Sequence, residues 1–537
     1  MSSGQTGLYG SDRSLLSPYA ARLLDRGALK WVIAITAALG AVLEVIDTSI
    51  VNVALPDIQG NLGSTLTEAG WVSTGYACAN VVIIPLTAWL SNRFGRKQYL
   101  LFSLAGFTAA SALCGMAANL PMLVVARVLQ GLAGGGLLAK AQAILFESFP
   151  RAEQPAAQAI FGIGVISGPA LGPVLGGYLT DTLGWRWIFF INLPFGIIAV
   201  LMTIAFLPRD RAEDISRDRV DWPGIGLLAV GLGCFQTMLE QGQEDDWFSS
   251  RLIVWMAVGS AVGIGLFIWR ELSVDYPAVD LRALRFRSLS AGSAYSLVLG
   301  MGLYGIIFAI PVFVQEFLHF TAMQSGVLQL PSAVAAAIGM VFMGKIAGRI
   351  DARLLIAAGA MITVLAALWL AQINPDTSAG SLFWPLFLRG LGSVCMFLPL
   401  SLATLGDLPK NKVASGAGFY NVTRQLGSSI GIAVITTVLA YREAVHRAVL
   451  VVHEGLGSPG LIRRLGGLQV VLSRVSSDPA GVHMRALKML DMGIDAQAML
   501  LSFADVFMYV AAAFTLSLPL LLFLGRGRSG AVPAQAH

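Results

Sequence analysis

Residues 31–55 read Trp31-Val-Ile-Ala-Ile-Thr-Ala-Ala-Leu-Gly-Ala-Val-Leu-Glu44-Val-Ile-Asp47-Thr-Ser-Ile-Val-Asn-Val-Ala-Leu55. Glu44 and Asp47 are the sole charges in a run that, as a helix, crosses a hydrocarbon core of about 30 Å. Lipid supplies no hydrogen-bond partners, so a spanning segment must satisfy its own backbone, and helix is the simple solution. About fourteen stretches of this kind recur between Trp31 and Leu524. The chain is therefore read as an all-α polytopic membrane protein. Its 537 residues are 56% hydrophobic and only 12% charged, against about 25% charged in soluble domains.

Helices are predicted at 31–54, 69–91, 98–117, 121–146, 157–180, 186–207, 222–240, 251–271, 288–313, 324–344, 353–372, 381–405, 417–440 and 502–525; these are spans 1 to 14. Basic residues occupy alternate connections. One set holds Arg93, Arg96 and Lys97; Arg151; Arg209, Arg211, Arg217 and Arg219; Arg282, Arg285 and Arg287; Lys345 and Arg349; Lys410 and Lys412. The short connections 55–68, 118–120, 181–185, 241–250, 314–323 and 373–380 hold no lysine or arginine. The positive-inside rule assigns the first set, and both termini, to the cytoplasm. The net charge of +5 thus reflects orientation in a bilayer rather than nucleic-acid binding. The first thirty residues carry Arg13, Arg22, Arg26 and Lys30 without a short apolar run and cleavage site, and read as a cytoplasmic tail. Cys78, Cys114, Cys234 and Cys395 fall inside predicted spans at no metal-ligand spacing and read as buried thiols.

Residues 441–501 depart from this pattern as a long connection on the outer side. It carries Arg442, Arg447, Arg463, Arg464, Arg474, Arg485 and Lys488, with His446, His453 and His483. Leu461, Leu465, Leu468, Val471 and Leu472 recur at helical spacing, which predicts an amphipathic helix that lies on the bilayer or docks a partner.

The chemistry is sought among charges and small residues inside the spans. Glu44 and Asp47, three apart, share a face of span 1, and Arg127 of span 4 lies at a depth similar to Asp47, so an ion pair across the bundle is expected. A static helix lock is the competing role for that pair, and lining of a wet cavity the competing role for Glu44. Lys140 is expected to snorkel toward the cytoplasm. Asp505 and Glu316, near outer helix ends, read as solvated. Arg389, Arg424, Trp71, Tyr76, Tyr304, Phe308 and Tyr420 are candidates to line a substrate cavity, with gating or packing as the alternative. Span 4 reads Arg127-Val-Leu-Gln130-Gly131-Leu-Ala-Gly134-Gly135-Gly136 and span 12 reads Arg389-Gly390-Leu-Gly392-Ser393. Span 5 carries Gly168-Pro169-Ala-Leu-Gly172-Pro173-Val-Leu-Gly176-Gly177, and span 13 Arg424-Gln425-Leu-Gly427-Ser428-Ser429-Ile-Gly431. Small residues at four-residue spacing let helices approach closely, and their recurrence suggests two similar halves, as in secondary transporters.

These motifs, in this order, resemble the major facilitator superfamily. Ala88-Trp-Leu90-Ser-Asn92-Arg93-Phe-Gly95-Arg96-Lys97 resembles its cytoplasmic loop signature, and Gly168 to Gly177 the span 5 signature of exporters. Ile46-Asp47-Thr48-Ser49-Ile50-Val51-Asn52-Val53-Ala54-Leu55-Pro56 resembles the first-helix signature of fourteen-helix drug:proton antiporters, and Asp246-Trp247-Phe248-Ser249-Ser250 and Trp187-Ile-Phe-Phe-Ile-Asn192 resemble the EmrB-type pumps among them. Asn92 stands where the loop signature usually has aspartate, and Ala88 where it has glycine. The resemblance covers about residues 30–525. It implies two six-helix bundles, 31–207 and 288–525, the second including 441–501. Two extra helices within 208–287 separate them, and tails 1–30 and 526–537 flank the whole.

The resemblance further implies proton-driven efflux of lipophilic drugs through the inner membrane by alternating access. Gly95, Arg96, Gly168, Pro169, Gly172, Pro173 and Gly176 would serve the conformational change. A periplasmic membrane-fusion adaptor, and through it an outer-membrane channel, would be partners. No Walker A, HExxH or clustered metal-ligand pattern is found, so a non-enzymatic, gradient-driven machine needing no cofactor is expected. A dedicated exporter of one metabolite or fatty acid, and a membrane receptor or scaffold, are the alternatives.

Overall fold

The structure, a computed structural model, describes residues 13–211, 215, 219–374, 377–453, 459–474 and 478–525. Arg217, the side chain of His453 and the tail 526–537 lie outside the described residues. Among the described residues, fourteen helices are long and apolar enough to cross a membrane: Leu29–Leu62, Thr67–Phe94, Arg96–Gly115, Leu120–Ser148, Gln154–Leu183, Trp187–Phe206, Trp222–Gln241, Arg251–Ser273, Arg287–Glu316, Met323–Ile346, Ala352–Leu370, Ala379–Leu405, Lys410–Val452 and Pro479–Leu522. They correspond in order to the fourteen predicted spans and keep those numbers.

Packing repeats between halves. Span 1 lies against span 5, span 2 against span 4, and span 3 against spans 4 and 6; span 9 lies against span 13, span 10 against span 12, and span 11 against spans 12 and 14. Spans 7 and 8 pair with each other, and span 7 leans on spans 2 and 13. Between them Gly231 and Gly263 bring the backbones so close that a Cβ on Gly231 would stand 2.8 Å from the Ile264 nitrogen. The halves meet through spans 5 and 10, 2 and 13, and 4 and 13. Inside that apolar interface, Gln142 donates to Ser401 at 2.8 Å and Asn421 donates to Gln142 at 2.7 Å.

Several element ends differ from the sequence reading. Span 1 does not stop at 54 but runs through Pro56 to Leu62, where Gly63 caps it at φ +64°; one internal proline removes a single ladder bond and a helix can absorb it. Span 4 is two helices, Leu120–Gly134 and Leu137–Ser148, interrupted at Gly135 and Gly136. Span 10 breaks likewise at Gln329. The four cysteines are free, and only Cys114 is fully buried.

The connection 441–501 is largely a helical projection rather than a loop. The span 13 helix continues to His453 over 41 residues, roughly 60 Å at 1.5 Å per residue. The span 14 helix starts at Pro479, capped by Asp478, and Pro459–Leu472 forms the expected helix between them. Three residues of this connection join the two long helices: Arg442 and His446 share Asp505, at 2.5 and 2.8 Å, and Arg447 reaches Asp491 and Asp495. Asp505 is thus an ion-pair partner rather than a solvated end residue. At the other face, part of the N-terminal segment is ordered. Pro18–Asp25 is a helix capped by Ser17, whose hydroxyl also bonds the Ala205 carbonyl of span 6, and Lys30 pairs with Glu153.

Span 5 presents its glycines to span 1. A Cβ on Gly168 would meet Val45 at 2.8 Å, one on Gly172 would fall on the Ser49 hydroxyl, and one on Gly176 would stand 3.0 Å from the Ile50 carbonyl oxygen. Around Gly226 of span 7 there is open space. Gly172→Leu is expected to insert but to lose about 1–3 kcal/mol of stability through overpacking, while Gly226→Leu stays close to the parent. Thermal midpoints of the purified proteins check this; equal midpoints would remove the tight-contact reading.

Candidate functional site

Asp47 is fully buried and every hydrogen-bonding direction it needs is filled. Arg127 donates to one carboxylate oxygen at 2.6 Å, while Gln130 and Asn192 donate to the other at 2.9 and 2.7 Å. Arg127 is held in turn. Its Nε donates to the Val72 carbonyl at 3.1 Å, its Nη1 also donates to Gln130, and its guanidinium lies 4.1 Å from the Tyr76 ring centroid. The expected ion pair is present, enclosed by spans 1, 2, 4 and 6. A buried pair survives in such a setting when its remaining donors and acceptors are also satisfied.

Glu44, one turn along the same face, has different partners. Asn80 of span 2 donates to it at 2.9 Å, and the backbone N–H of Leu138 donates at 2.8 Å. That N–H is free because span 4 restarts at Leu137, so the carboxylate sits at the positive end of a half-helix. The side chain is buried, 6% exposed. Lys140 is 3% exposed. Its ammonium donates to Ser91 at 2.5 Å and borders a cavity of about 340 Å³ that also carries Arg96 and Glu147.

The loop signature is built around two acids other than the substituted position. Gly95 adopts φ +87°, and a side chain there would strike Asp210, which accepts the Lys97 backbone N–H at 3.0 Å. Arg96 pairs with Glu147 at 3.2 Å. Asn92 borders both polar cavities at this face, the second of about 400 Å³.

Between the two halves lies a cavity of about 40 Å³, bordered by Val165, Ile166 and Pro169 of span 5, by Leu303 and Tyr304 of span 9, and by Ser332, Ser393, Phe397, Arg389 and Arg424. Of the seven cavity candidates, Tyr304, Arg389 and Arg424 therefore border it. The other four are not among its lining residues. Tyr76 stacks on Arg127, Phe308 packs into the core, Tyr420 is wholly buried with its carbonyl accepting from Ser296, and Trp71 is 36% exposed near the start of span 2. Arg389 donates to Gln329 at 3.0 Å and to Ser332 at 2.8 Å; Arg424 donates to the Tyr304 hydroxyl at 2.7 Å and to Asn421 at 3.3 Å.

Asn192, Gln130 and Asn80 were not singled out from the sequence. Asn192 and Gln130 stood inside the quoted motifs, where a polar residue in an apolar run was the available signal. Asn80 had no motif to mark it. Among the described residues no group of three or more His, Cys, Asp or Glu side chains is arranged to hold a metal ion.

The Escherichia coli K12 protein described as "Multidrug export protein EmrB" is 37% identical over 425 residues, covering 79% of this chain and 83% of its own length. The Neisseria gonorrhoeae "Fatty acid resistance protein FarB" is 36% identical, covering 80% and 84%. The solved structure of the human organic anion transporter MFSD10 superposes with a TM-score of 0.59 at 14% identity, over 92% of this chain and 99% of that one, a likeness of fold. Residues 37–432 match the model of the Major Facilitator Superfamily, and the chain, a multi-pass membrane protein of fourteen apolar helices, belongs to that family.

Proposed function

We propose that this chain is a proton-driven multidrug exporter of the inner membrane, with both termini cytoplasmic, working by alternating access. The observation that carries the reading is the buried Asp47–Arg127 pair beside Glu44 at the span 4 break, in a chain 37% identical to a multidrug export protein. A proton on Asp47 removes the negative partner of Arg127 and with it the reason for spans 1 and 4 to stay clamped. Glu44, on the same face, offers a second proton acceptor one turn away. Gly168, Gly172 and Gly176 connect that change to span 5, whose Pro169 borders the central cavity. That cavity, about 40 Å³, is far smaller than the roughly 300 Å³ a drug-sized ligand occupies, so loading requires the halves to separate. One proton moving down about 150 mV supplies on the order of 3.5 kcal/mol, enough for roughly a 300-fold gradient of a neutral substrate.

The long helical projection supports a further part of the reading: a periplasmic adaptor that links this pump to an outer-membrane channel in a tripartite assembly. Arg442, His446 and Arg447 are spent on internal pairing, so the docking surface falls to Pro459–Leu472 and the start of the span 14 helix, where Arg464, Arg485 and Lys488 are exposed.

Dye efflux with and without a protonophore, in cells overexpressing the chain, tests the central claim. Asp47→Asn is expected to abolish protonophore-sensitive efflux. Because it strands Arg127, at a cost of about 3–5 kcal/mol, the neutral double variant Asp47→Asn/Arg127→Gln should recover expression without recovering efflux. Near-normal efflux by either well-expressed protein would sink the assignment. Glu44→Gln should impair efflux less completely and alter its pH dependence, and an unchanged pH profile would reduce Glu44 to a helix cap. Replacing 455–490 by a short flexible linker should spare transport in liposomes while adaptor cross-linking and whole-cell resistance fall. Undiminished adaptor capture would move the docking surface elsewhere.

A further inference from the structure

The repeated halves place an arginine at matching positions, Arg127 in span 4 and Arg389 in span 12, but only the first has an acid. Arg389 is 4% exposed and Arg424 5% exposed. Their side-chain partners are Gln329, Ser332, Tyr304 and Asn421, all neutral. Neither joins any ion pair among the described residues. Each also keeps a buried N–H without a protein partner, Nη1 of Arg389 and Nε of Arg424. Glu44, the acid whose field reaches Arg424, is bonded elsewhere, to Asn80 and to the Leu138 N–H.

Two cations buried at membrane depth with no acid bonded to them are costly, and such groups are retained where something neutralises them. Both border the central cavity, and so does Tyr304, whose hydroxyl accepts from Arg424 and still has its own proton to donate. Apart from the hydroxyls of Ser332 and Ser393, the remaining side chains of the wall are apolar, among them Val165, Ile166, Leu299, Leu303, Ile307 and Phe397. We propose that this is the head-group end of the substrate site, and that the preferred cargo is a lipophilic monoanion whose carboxylate, sulfonate or phenolate oxygen takes the free N–H groups of Arg389 and Arg424 while its apolar body lies on spans 5, 9 and 12. The cavity, about 40 Å³, suits a small polar head group and is far too small for a drug-sized body. The hydrocarbon part enters as the halves part. This deepens the export reading above and rests on it for the word cargo, but the binding chemistry is independent of any proton gradient.

The test uses two probes that share an aromatic body and differ in charge, anilinonaphthalene sulfonate and neutral phenylnaphthylamine. Each is titrated by fluorescence into the full chain in lipid nanodiscs with no gradient, against empty discs. The parent should bind the sulfonate saturably and more tightly than the amine. Arg389→Gln and Arg424→Gln should each weaken sulfonate binding about tenfold to a hundredfold, the worth of a charge-assisted hydrogen bond. Amine binding should change less than about twofold. The lysine variants at both positions keep the charge and should retain most of the affinity; if the glutamine variants fail to fold, the comparison of lysine variants and parent across the two probes decides the matter. Equal affinity of the parent for both probes, an equal loss for both in the variants, or competition with the sulfonate by the cation tetraphenylphosphonium as strong as by a second anion would each overturn the proposal. Sulfonate binding with no protonophore-sensitive efflux would leave it standing and remove the transport reading instead.

Discussion

Lipid cannot hydrogen-bond, and the structure is largely a consequence of that. Every backbone group at membrane depth needs a partner within the protein, which dictates helix. A helix interruption there frees backbone groups that something must take up. In span 4 the interruption at Gly135 and Gly136 releases N–H groups, and Glu44 accepts one of them from Leu138. In span 10 the break at Gln329 comes with that residue's side chain, and that of Ser332, accepting from Arg389. In each half a helix break sits beside a buried charge, met by a backbone N–H in span 4 and by side chains in span 10.

The same constraint gives the two halves different electrostatics on similar packing. In the first, Asp47 and Arg127 cancel, and Gln130, Asn192 and Tyr76 complete the enclosure. In the second, Arg389 and Arg424 have only neutral partners. A carboxylate already balanced by an arginine suits a site whose charge changes by one proton. Arginines without an acid suit a site whose charge is completed by something that arrives and leaves. On the reading proposed above, the division of labour between a proton half and a cargo half follows from one acid present in span 1 and absent from the matching depth of its counterpart.

Hydropathy made the fourteen spans legible, because twenty apolar residues in a row have few alternatives. Their ends were not. Pro56 reads as a stop, yet span 1 continues past it, since losing one bond near a helix end costs less than ending there. Residues 441–453 read as a connection because they are charged, but Tyr-Arg-Glu-Ala-Val-His-Arg-Ala are adequate helix formers with no glycine or proline before 455. Asp47, Glu44 and Arg127 were legible as charges out of place, and Arg389 and Arg424 as arginines in the same predicament. Asn80, Gln130 and Asn192 were not, because an uncharged amide is cheap enough in a helix to pass as packing. Only its position opposite a carboxylate gives it a role. Tyr420 and Phe308 failed as cavity residues for the converse reason: an aromatic ring in a bundle finds apolar neighbours whichever way it points.

Span 5 ties the two halves of this scheme together. One face carries Gly168, Gly172 and Gly176 and lies on span 1 within a side chain's thickness of Val45, Ser49 and Ile50, the residues interleaved with Glu44 and Asp47. The other meets span 10 of the second half, where a Cβ on Gly177 would stand 3.2 Å from Met323 backbone and one on Gly326 would stand 2.7 Å from the Val174 nitrogen. Toward span 10 these contacts fall on backbone, and toward span 1 on the side chains of Val45 and Ser49 and on the Ile50 carbonyl, so there is little slack to absorb a displacement. A shift of span 1 caused by a change of charge at Asp47 must be passed through span 5 or resisted by it. Close packing makes such interfaces bistable rather than elastic. On the reading proposed above, the bare glycine face of span 5 is the feature through which a one-proton event in the first bundle reaches the boundary with the second.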